Sequence, residues 1–346
     1  MKKILPLFFI FVIIFSNISA QTSKSKININ GSVFSDYFYN VDNVIDSLKD
    51  LNGFQLRRIF FTTDFIISES FEGRFRLEAN QISGPSLTNG RYGVLIKDAS
   101  LKWLNIFDGS DLIFGLSPTP MYEIADIWGY RVLEKSPTDF LGIIPFRDIG
   151  IDLKGKLTAD GEYNYHIKLG NNSNNAPEID KYKRYYASFN YKSPGGFQLG
   201  LYADYSSMPQ KFDAVEGKNK INDQIIGSLF IAYSCMEQYS AGANAFWKIN
   251  RNNVYNKSSG ILQNQRGDGY SIWAWYRLSD KIKLVGRVDR FDLNEDTSNE
   301  GSVLIVSGLD YRPVNEVSII PNFEWINYEG VNGKDLTARL TFAYQF

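Results

Sequence analysis

The feature of this 346-residue sequence that most limits its fold is alternation of apolar and polar side chains with a period of two. In the C-terminal segment LTARLTFAYQF, Leu336, Ala338, Leu340, Phe342, Tyr344 and Phe346 fall on one face. Thr337, Arg339, Thr341, Ala343 and Gln345 fall on the other. In FEGRFRLEAN, Phe71, Gly73, Phe75, Leu77 and Ala79 oppose Glu72, Arg74, Arg76, Glu78 and Asn80. FQLGLYADYSS repeats the pattern, with Phe197, Leu199, Leu201, Ala203 and Tyr205 opposing Gln198, Gly200, Asp204 and Ser206. A strand sends successive side chains to opposite faces, so such segments read as strands between two different environments.

Strands are expected at 26–39, 54–66, 71–80, 92–103, 110–117, 147–157, 162–170, 184–193, 197–206, 225–235, 239–250, 269–278, 281–291, 303–311, 316–326 and 336–346. Most are close to the length a tilted strand needs to cross a bilayer, about 9–11 residues, and longer than the usual soluble strand. Short turns at 67–70, 104–109, 158–161, 194–196, 236–238, 279–280 and 312–315 alternate with long loops at 40–53, 81–91, 118–146, 171–183, 207–224, 251–268, 292–302 and 327–335. Short turns at one end and long loops at the other is the layout of an outer-membrane barrel. A soluble sandwich has no reason to keep that rhythm. The expected fold is therefore all-β: a single transmembrane antiparallel β-barrel of about 16 strands, with an even number placing both termini at the short-turn end.

The barrel is expected over residues 21–346, behind a cleaved signal peptide at 1–20. Lys2 and Lys3 precede the apolar core ILPLFFIFVIIF, and Ser16–Ala20 supplies small residues for cleavage. That core is too short for a spanning helix, and no long apolar run follows it; mean hydropathy is −0.24. The lone Cys235 excludes an internal disulfide framework. A net charge of −1 gives no sign of a nucleic-acid surface.

Aromatic residues are expected at both rims: Trp103, Tyr191, Phe197, Tyr239 and Phe346 at the short-turn end, with Tyr39, Tyr92, Trp247 and Trp325 at the other. Two places break the pattern. Pro321 would remove a ladder donor, and strict alternation would turn Lys97 or Asp98 toward lipid. A β-bulge at each is the expected repair.

Strand number sets the bore, and about sixteen strands enclose water where about eight fill with side chains. Alternation places Arg58, Arg74, Arg76, Lys102, Lys154, Lys156, Lys168, Lys283, Arg287 and Arg339 on the inner face, with Glu72, Glu78, Asp111, Asp152 and Asp289. Arg or Lys on the lipid face would cost roughly 2–4 kcal/mol at mid-bilayer, so this clustering implies a hydrated lumen. The longest connection, 118–146, holds MYEIADIWGYRVLEK, with Ile124, Ile127 and Trp128 at helical spacing between Pro120 and Pro137. So apolar a loop is expected to fold into the barrel and narrow it, carrying Glu123, Asp126, Arg131, Glu134 and Lys135 as constriction residues.

The segments GFQLRRIFFTTDFIISESFEGRFRLEAN (53–80), VLIKDASLKW with LIFGLSPTP (94–120), and LEKSPTDFLG with FRDIGIDLKGKL (133–157) resemble the bacterial porin superfamily, in particular the phosphate-selective porin O/P-like group. The rest of the chain resembles it by pattern only. The resemblance implies a sixteen-stranded homotrimeric porin, constricted by its third external loop, with Phe346 read as a signal by the barrel-assembly machinery. It does not assign a phosphate site to any residue, because Glu123, Asp126, Glu134 and Asp139 are interleaved with Arg131 and Lys135.

The expected function is a water-filled channel in a Gram-negative outer membrane, passing small hydrophilic solutes and ions, anions such as phosphate among them. Two other readings compete: an oligosaccharide channel using Phe60, Tyr202, Phe246 and Trp273 or Trp275 as a stacking slide, or a structural or adhesive barrel without transport. An enzyme is not expected, since His166 is the only histidine and no nucleophile–base pair is evident. Neither a metal nor a cofactor is implied.

Overall fold

A computed structural model describes residues 26–80, 92–235, 237–256, 258–295, 300–331 and 333–346. The expected signal peptide at 1–20 and the loop at 81–91 lie outside the described residues. Among the described residues eighteen strands form, in chain order β1 (Lys26–Asp42), β2 (Asn52–Ile66), β3 (Phe71–Asn80), β4 (Gly93–Phe107), β5 (Ser110–Pro118), β6 (Arg147–Lys156), β7 (Tyr163–Gly170), β8 (Arg184–Lys192) and β9 (Phe197–Ser206). They continue with β10 (Lys211–Asp213), β11 (Lys218–Lys220), β12 (Gln224–Cys235), β13 (Tyr239–Tyr255), β14 (Leu262–Ser279), β15 (Ile282–Asp292), β16 (Ser302–Val314), β17 (Val317–Tyr328) and β18 (Lys334–Gln345). Sixteen of them pair with their neighbours into one closed antiparallel barrel, and β10 with β11 makes a separate small hairpin.

Closure is made by β1 against β18, from Ser32↔Gln345 to Asp42↔Leu336. Gly31 and Phe346 extend that seam by exchanging backbone hydrogen bonds of 2.9 and 3.0 Å. A Cβ on Gly31 would sit 2.4 Å from the Phe346 ring, so only glycine lets the terminal ring lie across the seam. The same large-on-small pairing recurs across strands: Trp247 lies over Gly227, Phe246 over Gly269 and Trp273 over Gly242. Ring-over-glycine pairs fill the gap where a strand has no side chain.

The outer face is apolar, with Phe114, Ile167, Leu201, Ile231, Ile272, Val288 and Phe323 all exposed. No helix among the described residues is long and apolar enough to cross a membrane, which does not bear on crossing by strands. Aromatic pairs ring the short-turn end, including Phe71–Trp103 at 5.5 Å and Tyr163–Tyr191 at 4.7 Å between centroids. Tyr37–Phe54 and Tyr185–Tyr205 do so near the long loops.

The bulge expected near Lys97 is present. Arg76 pairs with Asp98 and Leu77 with Ile96, so Lys97 is the extra residue. Pro321 is different: β16 and β17 keep one register from Gly308↔Asn322 to Tyr311↔Ile319, and the shift comes later, between Tyr311 and Val314. Pro321 sits in a stretch of ladder that leaves Leu309 and Asp310 without bridge partners on β17, and it pairs normally with Leu340 on its other side. A skipped stretch of ladder accommodates the missing donor without an inserted residue.

Three expected loops are partly strand. β13 and β14 run on to Tyr255↔Leu262, absorbing most of 251–268. β1 and β2 shorten the loop at 40–53, and β10–β11 occupies part of 207–224. That hairpin docks on the protruding β13–β14 end, where Lys211 Nζ donates to the Asn253 carbonyl (2.8 Å) and Leu262 N–H to Asp213 (2.9 Å).

Candidate channel site

Loop 119–146 leaves β5 and returns to β6 at one point, because Pro118 pairs directly with Arg147. Thr119 clamps the neck, its hydroxyl donating to the Pro145 carbonyl at 2.7 Å. The short helix expected in this segment forms. α1 (Pro120–Ala125) begins with proline at its first turn, and a single tighter turn, Asp126–Trp128, ends at Gly129 with φ +77°. A left-handed glycine stops a helix at low cost. A second short helix, α2 (Pro137–Phe140), follows.

The loop's apolar side chains form one buried cluster with the inner wall. Met121, Ile124, Trp128, Tyr130, Leu133 and Phe146 pack with Phe230, Phe246, Trp273, Val306 and Ile320. Trp128 lies over the Arg287 guanidinium at 4.1 Å, and Tyr130 donates to Asp310 at 2.9 Å. On the opposite side, Arg57 of β2 donates to the Leu133 carbonyl at 2.9 Å and to that of Val132. One segment that touches β2, β15 and β16 in this way lies within the ring of strands.

The inner surface is thus of two kinds. Along β12–β17 it is largely apolar and covered by the loop. Along β1–β7 it is charged. There Arg58 pairs with Glu78 (3.4 Å), Lys97 also with Glu78 (2.8 Å), and Arg147 with Asp98 (2.5 Å). Arg76 reaches Asp98 at 3.5 Å and Thr62 at 2.7 Å, while its guanidinium faces the Phe60 ring. The carboxylates Glu78 and Asp98 are 3% and 0% exposed, whereas Arg58, Arg76 and Lys97 keep 19%, 20% and 28%. Carboxylates lie behind and cations in front, so the open space meets mainly positive charge.

Nearer the short-turn end, Arg74 forms a two-pronged bond with Asp64 (2.7 and 3.2 Å), and Lys102 pairs with Glu72 at 2.6 Å. Asp111 accepts the Asn105 N–H at 3.0 Å. Glu123 on the loop pairs with Lys154 on β6, and Lys156 lines the cavity beside them. Asp152, His166, Lys168 and Ser117 make a closed buried network: His166 Nε2 to Asp152 is 2.7 Å, and Lys168 reaches Asp152 at 2.9 Å and Ser117 at 2.5 Å. His166 Nδ1 makes no hydrogen bond among the described residues and lies 3.8 Å from Glu123, so the ring is held in the wall through Nε2 alone.

The remaining expected constriction residues divide. Arg131 pairs with Asp139 inside the loop (2.5 Å) and stacks against Tyr122 and Phe146. Asp126 lines the space facing Arg58 and Arg76. Glu134 approaches Arg339 at 4.0 Å, and Arg339 is held more closely by Glu324 at 3.0 Å. Lys135 borders a different space, toward the long loops. Lys283 lies over Trp275 at 4.1 Å, and Arg287 pairs with Asp289 at 2.9 Å beneath Trp128, on the apolar half.

Alternation alone misses Arg57, because a register shift between Phe34 and Ser35 leaves Arg57 as an extra residue, so Arg57 and Arg58 both act on the inner side. It also misses Asp36, Arg147 and the apolar inner wall. A signal for that wall exists: IIGSLFIAY, SVLIV and VSII are nearly continuous apolar runs, which mark strands buried on two faces.

Four spaces follow one another past the loop. One of about 740 Å3 at the long-loop end shares Lys97, Asp139 and Arg147 with the next, of about 420 Å3. Asn30 and Thr62 of the second adjoin Asn28 and Asp64 of the third, of about 360 Å3. The fourth, of about 540 Å3, shares Asp111 and Lys154 with the third.

No protein-family model and no curated protein matches the sequence. Solved structures match the fold. The anion-selective porin from Comamonas acidovorans has a TM-score of 0.66 at 11% identity, over 93% of this chain and 100% of that one. Salmonella typhi OmpF, in complex with daunomycin, has a TM-score of 0.66 at 13% identity, over 93% and 98%. The outer membrane channel DcaP of Acinetobacter baumannii has a TM-score of 0.67 at 12% identity, over 93% and 97%. The likeness is one of architecture, that of bacterial outer-membrane porins. The narrower phosphate-selective resemblance rests on the segments quoted above.

Proposed function

We propose that this chain is an outer-membrane porin: a water-filled, passive channel for small hydrophilic solutes and ions, with a preference for anions. The carrying observation is the run of four spaces along the charged wall, in the second of which Arg58, Arg76 and Lys97 front the opening while their carboxylate partners are buried. Fixed positive charge around a narrow aqueous path favours anions. In this reading residues 1–20 direct export and are cleaved, the barrel-assembly machinery reads Phe346, and three copies assemble in the Gram-negative outer membrane. The solved porins include a trimeric form, OmpT of Vibrio cholerae. No enzymatic role is proposed.

The oligosaccharide slide has less support. Tyr202, Phe246 and Trp273 are buried beneath the loop, at 4%, 2% and 4% exposed, so their faces are not open to a sugar. Reconstitution in a planar bilayer tests the main reading. Discrete conductance steps are expected, with a reversal potential in a KCl gradient of the sign for chloride preference. Absence of any conductance from folded protein would overturn it.

A further inference from the structure

Resting on the channel reading, we infer that the space at the long-loop end contains a binding site for a hydroxylated organic anion, such as a sugar acid or sugar phosphate, centred on Lys248. The wall there is built from four adjacent strands. Register places Arg184 of β8, Ser206 of β9 and Gln224 of β12 in one cross-strand row. Lys248 of β13 pairs with Ile226, two residues beyond Gln224, and so stands one inward step below that row. All four side chains border the same space of about 740 Å3.

Their bonding is uneven. Arg184 is fully occupied, donating to Asp204 at 2.9 Å twice over and to Asn172 at 3.1 Å. Gln224 donates to Asn250. Lys248 is only 8% exposed, yet no carboxylate or other partner meets its ammonium among the described residues. The Ser206 hydroxyl, 1% exposed, is likewise without a partner. The stem of Lys248 is packed away while its ammonium opens on the space without a protein counter-charge, and the Ser206 hydroxyl is enclosed beside it. An ammonium with no protein counter-charge, opening on a cavity lined by amides, is suited to an anionic, hydrogen-bonding ligand.

The surroundings indicate the rest of the ligand. Asn172, Asn174 and Asn175 line the space, supplying amide donors and acceptors suited to hydroxyls. Lys135 and Arg147 add positive charge, and Asp139 is the carboxylate on the lining. The volume lies within the range of small-molecule sites and well above that of a bare inorganic ion. A solute seated there would stand directly before Lys97 and Arg147, which also border the next space inward.

Isothermal titration of the full barrel in detergent micelles tests the site without needing conductance. D-galacturonate and glucose 6-phosphate should bind, whereas glucose should not. Lys248→Met should weaken both by about tenfold or more, the scale of one charge-assisted hydrogen bond, and Lys248→Arg should retain most of the affinity. Heat-modifiable gel migration would confirm that each variant is folded. Glucose binding as tightly as galacturonate, or folded Lys248→Met binding like the parent, would overturn the site. Inorganic phosphate binding as tightly as glucose 6-phosphate would overturn the organic half of the assignment. Bilayer recording of the same unmodified protein separates the two readings: conductance without binding removes the site alone, and binding without conductance removes the channel.

Discussion

The Arg57 guanidinium donates to the Leu133 carbonyl at 2.9 Å, and with this bond the wall strand β2 holds the tip of the internal loop. The same guanidinium pairs with Asp36, whose carboxylate is fully buried and accepts from Thr341 at 2.6 Å. Arg57→Ala would free the loop tip and leave Asp36 buried without its counter-ion. The expected loss is about 3–5 kcal/mol, the scale of breaking a buried pair from one side. Urea unfolding in micelles measures it, and open-channel current noise should rise. A variant as stable and as quiet as the parent would show that the tether does nothing.

Trp128 anchors the loop to the apolar half-wall and covers Arg287 at 4.1 Å. Trp128→Ala should cost about 3–5 kcal/mol, as for other buried aromatic truncations. It should also loosen the loop and increase single-channel current. Unchanged conductance would mean that the loop does not set the bore.

Replacing Arg58 and Arg76 with glutamine leaves Glu78 and Asp98 with fewer partners facing the 420 Å3 space. Chloride preference should fall or reverse, read as the zero-current potential across a KCl gradient. The difference from the parent should shrink between about 0.1 and 1 M salt, because screening length falls from about 10 to 3 Å.

Gly31→Val would drive a side chain into the Phe346 ring and the Phe60 carbonyl, 2.4 and 2.5 Å from the new Cβ. The closing seam should suffer first, at about 1–3 kcal/mol for such overpacking. The fraction of heat-modifiable, folded barrel should drop. In refolding of purified chain into detergent micelles, where no assembly machinery takes part, truncating Phe346 to alanine in the same variant should recover part of it.

Much of this fold is legible in the sequence, because period-two alternation depends on two unlike solvents on the two sides of a strand. Where that contrast holds, as in β3 and β18, face assignments follow residue by residue. It fails in two physical situations. One is the bulge: Lys97 and Arg57 are extra residues, and only the partner strand shows where the period slips. The other is loss of contrast, since Ile226, Val306 and Ile320 face the loop rather than water, so their strands read as apolar throughout. Loop 119–146 could be singled out by its length and apolar content, but its seating on β12–β17 could not, because contacts between distant segments leave no period. Lys248 and Arg184 escaped for the same reason: an isolated cation on a strand looks alike whether paired or bare.

The apolar inner wall has a consequence for how such a barrel can change. Strands β12–β17 serve as the bed of the loop, and the aqueous path is bordered mainly by β1–β8, with Ser206, Gln224 and Lys248 joining it at the long-loop end. Substitutions beneath the loop, as at Val306 or Ile320, act on the loop's position and through it on the path. Bore and perimeter are therefore uncoupled: an added hairpin on the bed side would lengthen the circumference and leave the permeation cross-section where it was. Selectivity can drift on one side of the ring while the other is held fixed by packing.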